Sequence, residues 1–146
     1  MNEVSFPDGV TVRGSGLSSR DVNRMWRGWG IYLDARWAPT WPAELVDWPD
    51  FGTPASDEDA AAAIHRAFER ARDGTNVEVG CAGGLGRTGT VLACMAVLAG
   101  VPVEDAVGWV RSNYRAMAVE SSAQEAWLHW FADHAQQRGW LRSHEG

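Results

Sequence analysis

The chain has 146 residues and a net charge of −6, and all 13 of its basic residues are arginine. An acidic balance without a basic face argues against a nucleic-acid partner, and two cysteines, Cys81 and Cys94, are too few for a disulfide framework. The length fits one compact domain over residues 1–146, able to bury about two-thirds of its unfolded surface.

No basic-then-apolar leader opens the sequence, so no signal peptide is expected. The longest apolar run, Val91 to Leu98, is too short to span a bilayer, so no membrane partner is expected. A reducing cytoplasm with both thiols free is the expected compartment. The absence of lysine suggests a GC-rich bacterial genome. There is no repeat, low-complexity tract or linker.

In chain order, "GVTVRG" predicts a short strand and "SSRDVNRMWRG" a helix capped by Ser18 or Ser19. "GIYLDARW" alternates apolar and polar residues, which predicts a strand from Gly30 to Asp34. "ELVDW" is a further short strand, and "WPDFGTP" a loop, because two prolines and a glycine prevent a ladder. Ser56 followed by Asp59 starts a helix whose apolar face is Ala60, Ile64, Ala67, Phe68 and Ala71, and Gly74 ends it. "NVEV" is a strand. Thr88 to Ala99 is a buried helix closed by Gly100 and Pro102, and "VEDAVGWVRSNY" is a third helix. "SSAQEAWLHWFADHAQQR" is a fourth, with Ala123, Trp127, Leu128, Phe131 and Ala135 on one face and Gly139 at its end. Early strands, a strand–loop–helix unit and then helices predict a three-layer α/β domain.

The chemistry concentrates in "NVEVGCAGGLGRTGT", Asn76 to Thr90. A thiolate is the nucleophile, and an ordinary cysteine, with pKa about 8.5, is only a few per cent ionised at pH 7. Lowering that value by about three units takes roughly 4 kcal/mol of preferential stabilisation of the anion. Cys81 ends a strand and Thr88 begins a helix. If the loop between them curls, the N–H groups of Ala82, Gly83, Gly84, Leu85, Gly86 and Arg87 converge on one point. Gly83, Gly84 and Gly86 permit the curl. The helix N-terminus adds partial positive charge, and Arg87 supplies a planar two-pronged donor. Such a nest stabilises a thiolate and holds a tetrahedral oxyanion above it. The competing reading is a buried structural cysteine followed by a glycine-rich turn.

"CAGGLGRTGT" resembles the signature of the cysteine-dependent protein tyrosine phosphatases: Cys, five residues, Arg, then Ser or Thr. "WPDFGTP" is similar to that family's mobile general-acid loop, and "AVESSAQEAWLHWF" to its segment carrying a water-positioning glutamine. The likeness runs from about Leu45 to Phe131. It implies a central, mostly parallel sheet flanked by helices, with the strand–cysteine loop–helix unit at the site. It implies that Cys81 attacks phosphorus to form a phosphocysteine. Arg87 then binds two phosphoryl oxygens, and Thr88 offers its hydroxyl to the departing sulfur. No metal or other cofactor is expected, since loop amides and Arg87 do what a divalent cation does elsewhere.

Asp50 has a case of its own. Phosphate-ester cleavage leaves an alkoxide or phenoxide, which a carboxylic acid at a loop tip can protonate before taking a proton from water in the second step. Trp48 is an anchor, Gly52 a hinge, and Pro49 and Pro54 stiffen the loop, whose closure is expected to expel water. The competing reading is a turn aspartate, since "PDFG" is good turn sequence. Gln124 makes a capping box with Ser121, while the resemblance assigns it the hydrolytic water. For Arg115 and Glu120 solvated charges are expected, with support of the loop as the alternative; Asp34 ends a strand, with a functional role as the weaker reading. His65, His129, His134 and His144 show no metal-ligand spacing, and Cys94 reads as a core residue. The family usually has histidine just before its nucleophile, holding the neighbouring backbone, whereas this chain has Gly80. A weakened thiolate is expected from that change, and Gly80→His should strengthen it provided the ring fits.

The expected function is therefore hydrolysis of phosphotyrosine proteins, with phosphoserine and phosphothreonine as further candidates, by a monomer. The lack of lysine makes a phosphoinositide the weaker candidate. A phosphotyrosine- or oxyanion-binding module without turnover is the alternative, and persulfide transfer of the rhodanese kind a third, against which the acid loop and "RTGT" speak.

Overall fold

The computed structural model describes residues 2–22 and 24–141. Five strands, β1 (Asn2–Ser5), β2 (Thr11–Ser15), β3 (Trp29–Tyr32), β4 (Ala43–Leu45) and β5 (Val77–Gly80), form one sheet in the order β1–β2–β5–β3–β4. Only the β1–β2 hairpin is antiparallel; every other pair is parallel, so the sheet is mostly parallel, as expected. Four helices follow the early strands: α1 (Asp57–Arg72), α2 (Gly86–Leu98), α3 (Val103–Asn113) and α4 (Ser122–Gln137).

β5 is the central strand and is buried along its whole length. Successive side chains of a strand point to opposite faces. Val77 and Val79 accordingly join Val4, Val12, Ile31 and Leu33 in the core with all four helices. α2 packs against α1, α3 and α4 as well as β2 and β5, which is why each of its residues is buried. A helix apolar all round belongs in such a place. It begins at Gly86, two residues ahead of the expected Thr88, because the Gly89 amide already reaches the Leu85 carbonyl at 2.6 Å.

α1 starts as its sequence indicates, with the Ser56 hydroxyl accepting from the Asp59 amide, and turns off at Gly74, whose φ is +92°. α4 starts at Ser121, which accepts from the Gln124 amide. Its expected apolar face is shifted: Ala123 is exposed, and Gln124 takes the buried position beside Trp127, Leu128, Phe131 and Ala135.

The opposite face of the sheet corrects the reading of the N-terminal third. The helix expected over "SSRDVNRMWRG" is absent among the described residues, where a short 3-10 turn at Leu17–Ser19 runs into further turns. Tertiary contacts override local propensity there. The Arg27 guanidinium is drawn down onto buried Glu78 (2.8 Å) and also donates to the Arg20 carbonyl (2.6 Å). The Trp26 carbonyl accepts from Asn76 Nδ2, and its ring lies over Arg13. A second 3-10 turn, Ala35–Trp37, delivers Trp37 onto Tyr32 with ring centroids 4.3 Å apart. Turns and aromatic rings thus make the third layer. β1 was not expected at all: four residues with only Val4 buried leave too short a pattern to detect.

Candidate active site

Cys81 follows the last residue of β5, where the strand runs out of neighbours. Its N–H donates to the Ser15 carbonyl (3.3 Å), and its carbonyl accepts from the Trp37 indole Nε1–H (3.0 Å). The Gly84 N–H donates to Sγ at 3.2 Å, and the side chain is only 2% exposed. The curl from Ala82 to Gly86 sits on the end of β2. The Leu17 amide donates to the Ala82 carbonyl (3.0 Å), and the Tyr114 hydroxyl donates to the Gly84 carbonyl. Gly84 has φ +73°, and a Cβ there would lie 2.9 Å from the Gly16 nitrogen, so both conformation and space require glycine.

Arg87 and Thr88 ride on the first turn of α2. Nη1 of Arg87 donates to the Leu33 carbonyl (2.7 Å) and the Trp48 carbonyl (2.8 Å), and Nη2 to Asp34 Oδ2 (3.2 Å). Its Nε lies 3.5 Å from Asp50 Oδ1, a charge contact without hydrogen-bond geometry. Of five N–H donors, three are engaged and two remain. The Thr88 hydroxyl and Gln124 Nε2 are also buried without a hydrogen-bond partner. Gln124 is fully buried, and its Oε1 accepts from the Glu120 amide (2.9 Å), one residue before the position a capping box would use.

The segment from Trp48 to Pro54 is a loop, as its sequence indicates. Trp48 anchors it: the ring is buried on Trp127 (centroids 5.0 Å apart), and Nε1 donates to the Gly52 carbonyl (2.7 Å). Asp50 is exposed at the tip and accepts from the Phe51 amide (3.0 Å). Phe51 has φ +61°, and its carbonyl accepts from the Ser121 hydroxyl (2.9 Å). The N-terminus of α4 therefore holds the loop against Arg87.

A family model described as "PTP-SAK: Swiss Army Knife protein, DSP-PTPase phosphatase domain" matches residues 50–137. The chain belongs to this family of dual-specificity-type tyrosine phosphatase domains. It is 35% identical to the uncharacterized protein MJECL20 of Methanocaldococcus jannaschii over 109 residues, 67% of this chain and 71% of that one. Among solved structures it is similar to Tk-PTP in its active form, with a TM-score of 0.72 and 24% identity over 89% of this chain and 96% of that one. Kinase associated phosphatase, with serine in place of its catalytic-site cysteine, gives a TM-score of 0.74 at 14% identity, covering 92% and 94% of the two chains. At these identities the structures bear on fold, and the fold of this phosphatase domain is theirs.

Within the phosphatase-domain frame, three contacts were not legible in advance. The first is Trp37. A Cβ on Gly80 would lie 2.5 Å from the Trp37 ring and 2.9 Å from the Tyr32 ring, so the histidine that Gly80→His would introduce does not fit. Glycine inside a strand is a sequence sign of close approach, but it does not say what approaches. The second is Asp34. Hydrogen bonds from Arg36, opposed by partial burial and aided by Arg87, hold its carboxyl well below the usual range. The third is Ser121, whose hydroxyl serves both the α4 cap and Phe51. Glu120 packs its carboxylate where a Cβ on Gly86 would go, and Arg115 lies over the Tyr114 ring. Burial raises the Tyr114 hydroxyl pKa, favouring the protonated donor it presents to Gly84.

Cys94 is fully buried in α2, and burial pushes its thiol up; both cysteines are free. His65 is half-buried against Trp140 and His134 stacks on Trp130; burial, the largest influence, lowers the His65 pKa. His129 is exposed, and His144 lies outside the described residues. Among the described residues no helix is long and apolar enough to cross a membrane.

Proposed function

We propose that this phosphatase domain hydrolyses phosphotyrosine in proteins through a phosphocysteine intermediate. One observation carries the reading. The Gly84 amide points at a buried sulfur, and Arg87 Nε, the Thr88 hydroxyl and Gln124 Nε2 are buried donors without hydrogen-bond partners. Buried donors are rarely left unpaired: a phosphoryl group over the sulfur would pair Arg87, the departing sulfur would pair Thr88, and the attacking water would pair Gln124. In the first step Cys81 Sγ attacks phosphorus, and the Asp50 carboxyl gives its proton to the departing ester oxygen. In the second, the Asp50 carboxylate takes a proton from water held by Gln124. The resulting hydroxide displaces Sγ, which leaves as a thiolate with the Thr88 hydroxyl donating to it. Ala82 to Gly86 and the two remaining donors of Arg87 hold the phosphoryl oxygens throughout. A monomer in a reducing cytoplasm suits a mechanism that needs a free thiol.

The test is turnover of p-nitrophenyl phosphate and of phosphotyrosine and phosphothreonine peptides by wild type and Cys81→Ser. The expected result is activity on the aryl esters that the serine variant loses while retaining its unfolding temperature. Vanadate should compete, and chelators should have no effect. Tight peptide binding without phosphate release would instead identify an oxyanion-binding module.

A further inference from the structure

Gly80 lacks the side chain that would steady the backbone beside the nucleophile, and another residue stands in its space. β3 pairs with β5 as far as Tyr32 opposite Gly80, and the Leu33 amide takes the Gly80 carbonyl (2.8 Å). The next carbonyl, that of Cys81, lies past the end of the ladder. The Trp37 indole N–H meets it at 3.0 Å, with the ring fully buried. The ring is itself fixed. It stacks on Tyr32, whose hydroxyl donates to Glu78 Oε1 (2.6 Å) and accepts from Trp41 Nε1 (2.9 Å). The absence of a Cβ at Gly80 is what admits the ring.

We propose that Trp37 is a positioning residue for the Cys81 thiolate. Cys81 is gripped from both sides, Ser15 holding its N–H and Trp37 its carbonyl, so its χ1 axis is fixed and Sγ faces the Gly84 amide. A donor on that carbonyl also polarises the peptide between Cys81 and Ala82, which opens the anion-binding loop. An external indole thereby supplies through space what residue 80 does not supply from the chain. The inference rests on Cys81 as the nucleophile.

The charged or titratable neighbours of the loop are Arg87 from α2, Asp34 after β3, Asp50 in the acid loop, Glu120 before α4, Tyr114 with Arg115 after α3, and Glu78 of β5. Trp37 itself touches two more, Tyr32 stacked at 4.3 Å and Arg27 over its ring at 5.9 Å, and a phenyl ring in its place keeps an aromatic face toward both.

The test is the pH dependence of iodoacetate inactivation for wild type, Trp37→Phe and Tyr32→Phe, with unfolding temperatures alongside. Trp37→Phe keeps an aromatic ring against Tyr32 and loses the N–H. Its inactivation midpoint should rise by about 0.5 to 1 pH unit, the effect of one hydrogen bond acting through a peptide. On an aryl phosphate kcat should fall about three- to tenfold, with KM changed less. Tyr32→Phe keeps the indole donor and should lower the unfolding temperature without moving the midpoint. Superimposable wild-type and Trp37→Phe curves would overturn the proposal, as would an equal shift in Tyr32→Phe, which would show general loosening. If Trp37→Phe does not fold, the wild-type protein decides. The Trp37 indole N–H resonance should titrate with the same midpoint as Cys81 alkylation, and an invariant resonance overturns the proposal. Alkylation reads the sulfur without turnover, so a wild type inactive on every phosphate ester would defeat the phosphatase reading and leave this test intact.

Discussion

Arg87 illustrates how much of a buried guanidinium is committed to the protein itself. Two backbone carbonyls and Asp34 hold three of its donors, which sets the plane of the guanidinium. Asp34 is in turn pinned by Arg36. Asp34→Asn should therefore raise KM for an aryl phosphate more than it lowers stability, since two carbonyl contacts remain. The pH sign follows from the depressed pKa of Asp34. A carboxyl whose folded pKa is lowered contributes stability above its unfolded value, about 3.9, and loses it as pH falls toward the folded value. The gap in unfolding midpoint between wild type and Asp34→Asn should thus be constant near neutrality and close below about pH 4. A gap that widens with acid would refute the assignment. Asp50 is the opposite case, exposed at a loop tip with a local amide contact. Asp50→Asn should leave the unfolding temperature nearly unchanged and slow hydrolysis by about 10²–10⁴-fold. The loss should shrink for leaving groups of low pKa, which need no proton. A uniform loss across a leaving-group series would assign Asp50 a structural role.

At the scale of elements, the loop from Trp48 to Pro54 and α4 are one device joined at Ser121. Its hydroxyl accepts from the Gln124 amide and donates to the Phe51 carbonyl, and Phe51 holds a left-handed φ of +61° that local preference does not favour. Ser121→Ala should cost about 1 kcal/mol through the lost cap. It should also reduce kcat, because Asp50 is no longer held over Arg87, whereas Ser56→Ala at the α1 cap should cost similar stability and leave kcat alone. Equal kcat in both variants would show that the Phe51 contact is incidental. Caps and loops of this kind were legible because their signals are local: Ser56 with Asp59, Ser121 with Gln124, Gly74 and Gly139 at helix ends, and the glycines between Cys81 and Arg87. What the sequence hid is non-local. Nothing in "DARW" indicates that Trp37 will reach a carbonyl 44 residues away, and nothing in "RMWRG" indicates that Arg27 will leave a helix-like run to meet Glu78 across 51 residues.

The whole molecule is asymmetric about its sheet. One face carries the apolar core and four helices, and the other carries a polar centre under aromatic rings. Glu78 is fully buried there and accepts from Arg27, the Ser15 hydroxyl and the Tyr32 hydroxyl. The Arg27 side chain is 2% exposed and lies over the Trp41 ring at 4.3 Å. The pair ties the N-terminal third to the strand that ends at Cys81. A buried pair adds little over a well-packed apolar substitute, yet removing one partner is costly because the other charge stays buried. Arg27→Met should therefore destabilise by about 3–5 kcal/mol in a denaturant titration at neutral pH. Its pH dependence separates this cause from lost packing. In the variant Glu78 keeps its hydroxyl donors from Ser15 and Tyr32 but loses the Arg27 charge, and for a buried carboxyl that loss favours the neutral acid in the folded state and shifts its folded pKa upward relative to wild type. A group shifted that way restores stability as pH falls through the folded value, so the deficit of Arg27→Met should narrow on acidification. A methionine that merely packed badly would give a deficit independent of pH. Because Ser15 also holds the Cys81 amide, the variant should show faster loss of phosphatase activity than of helix content on heating, the site face opening before the four-helix face.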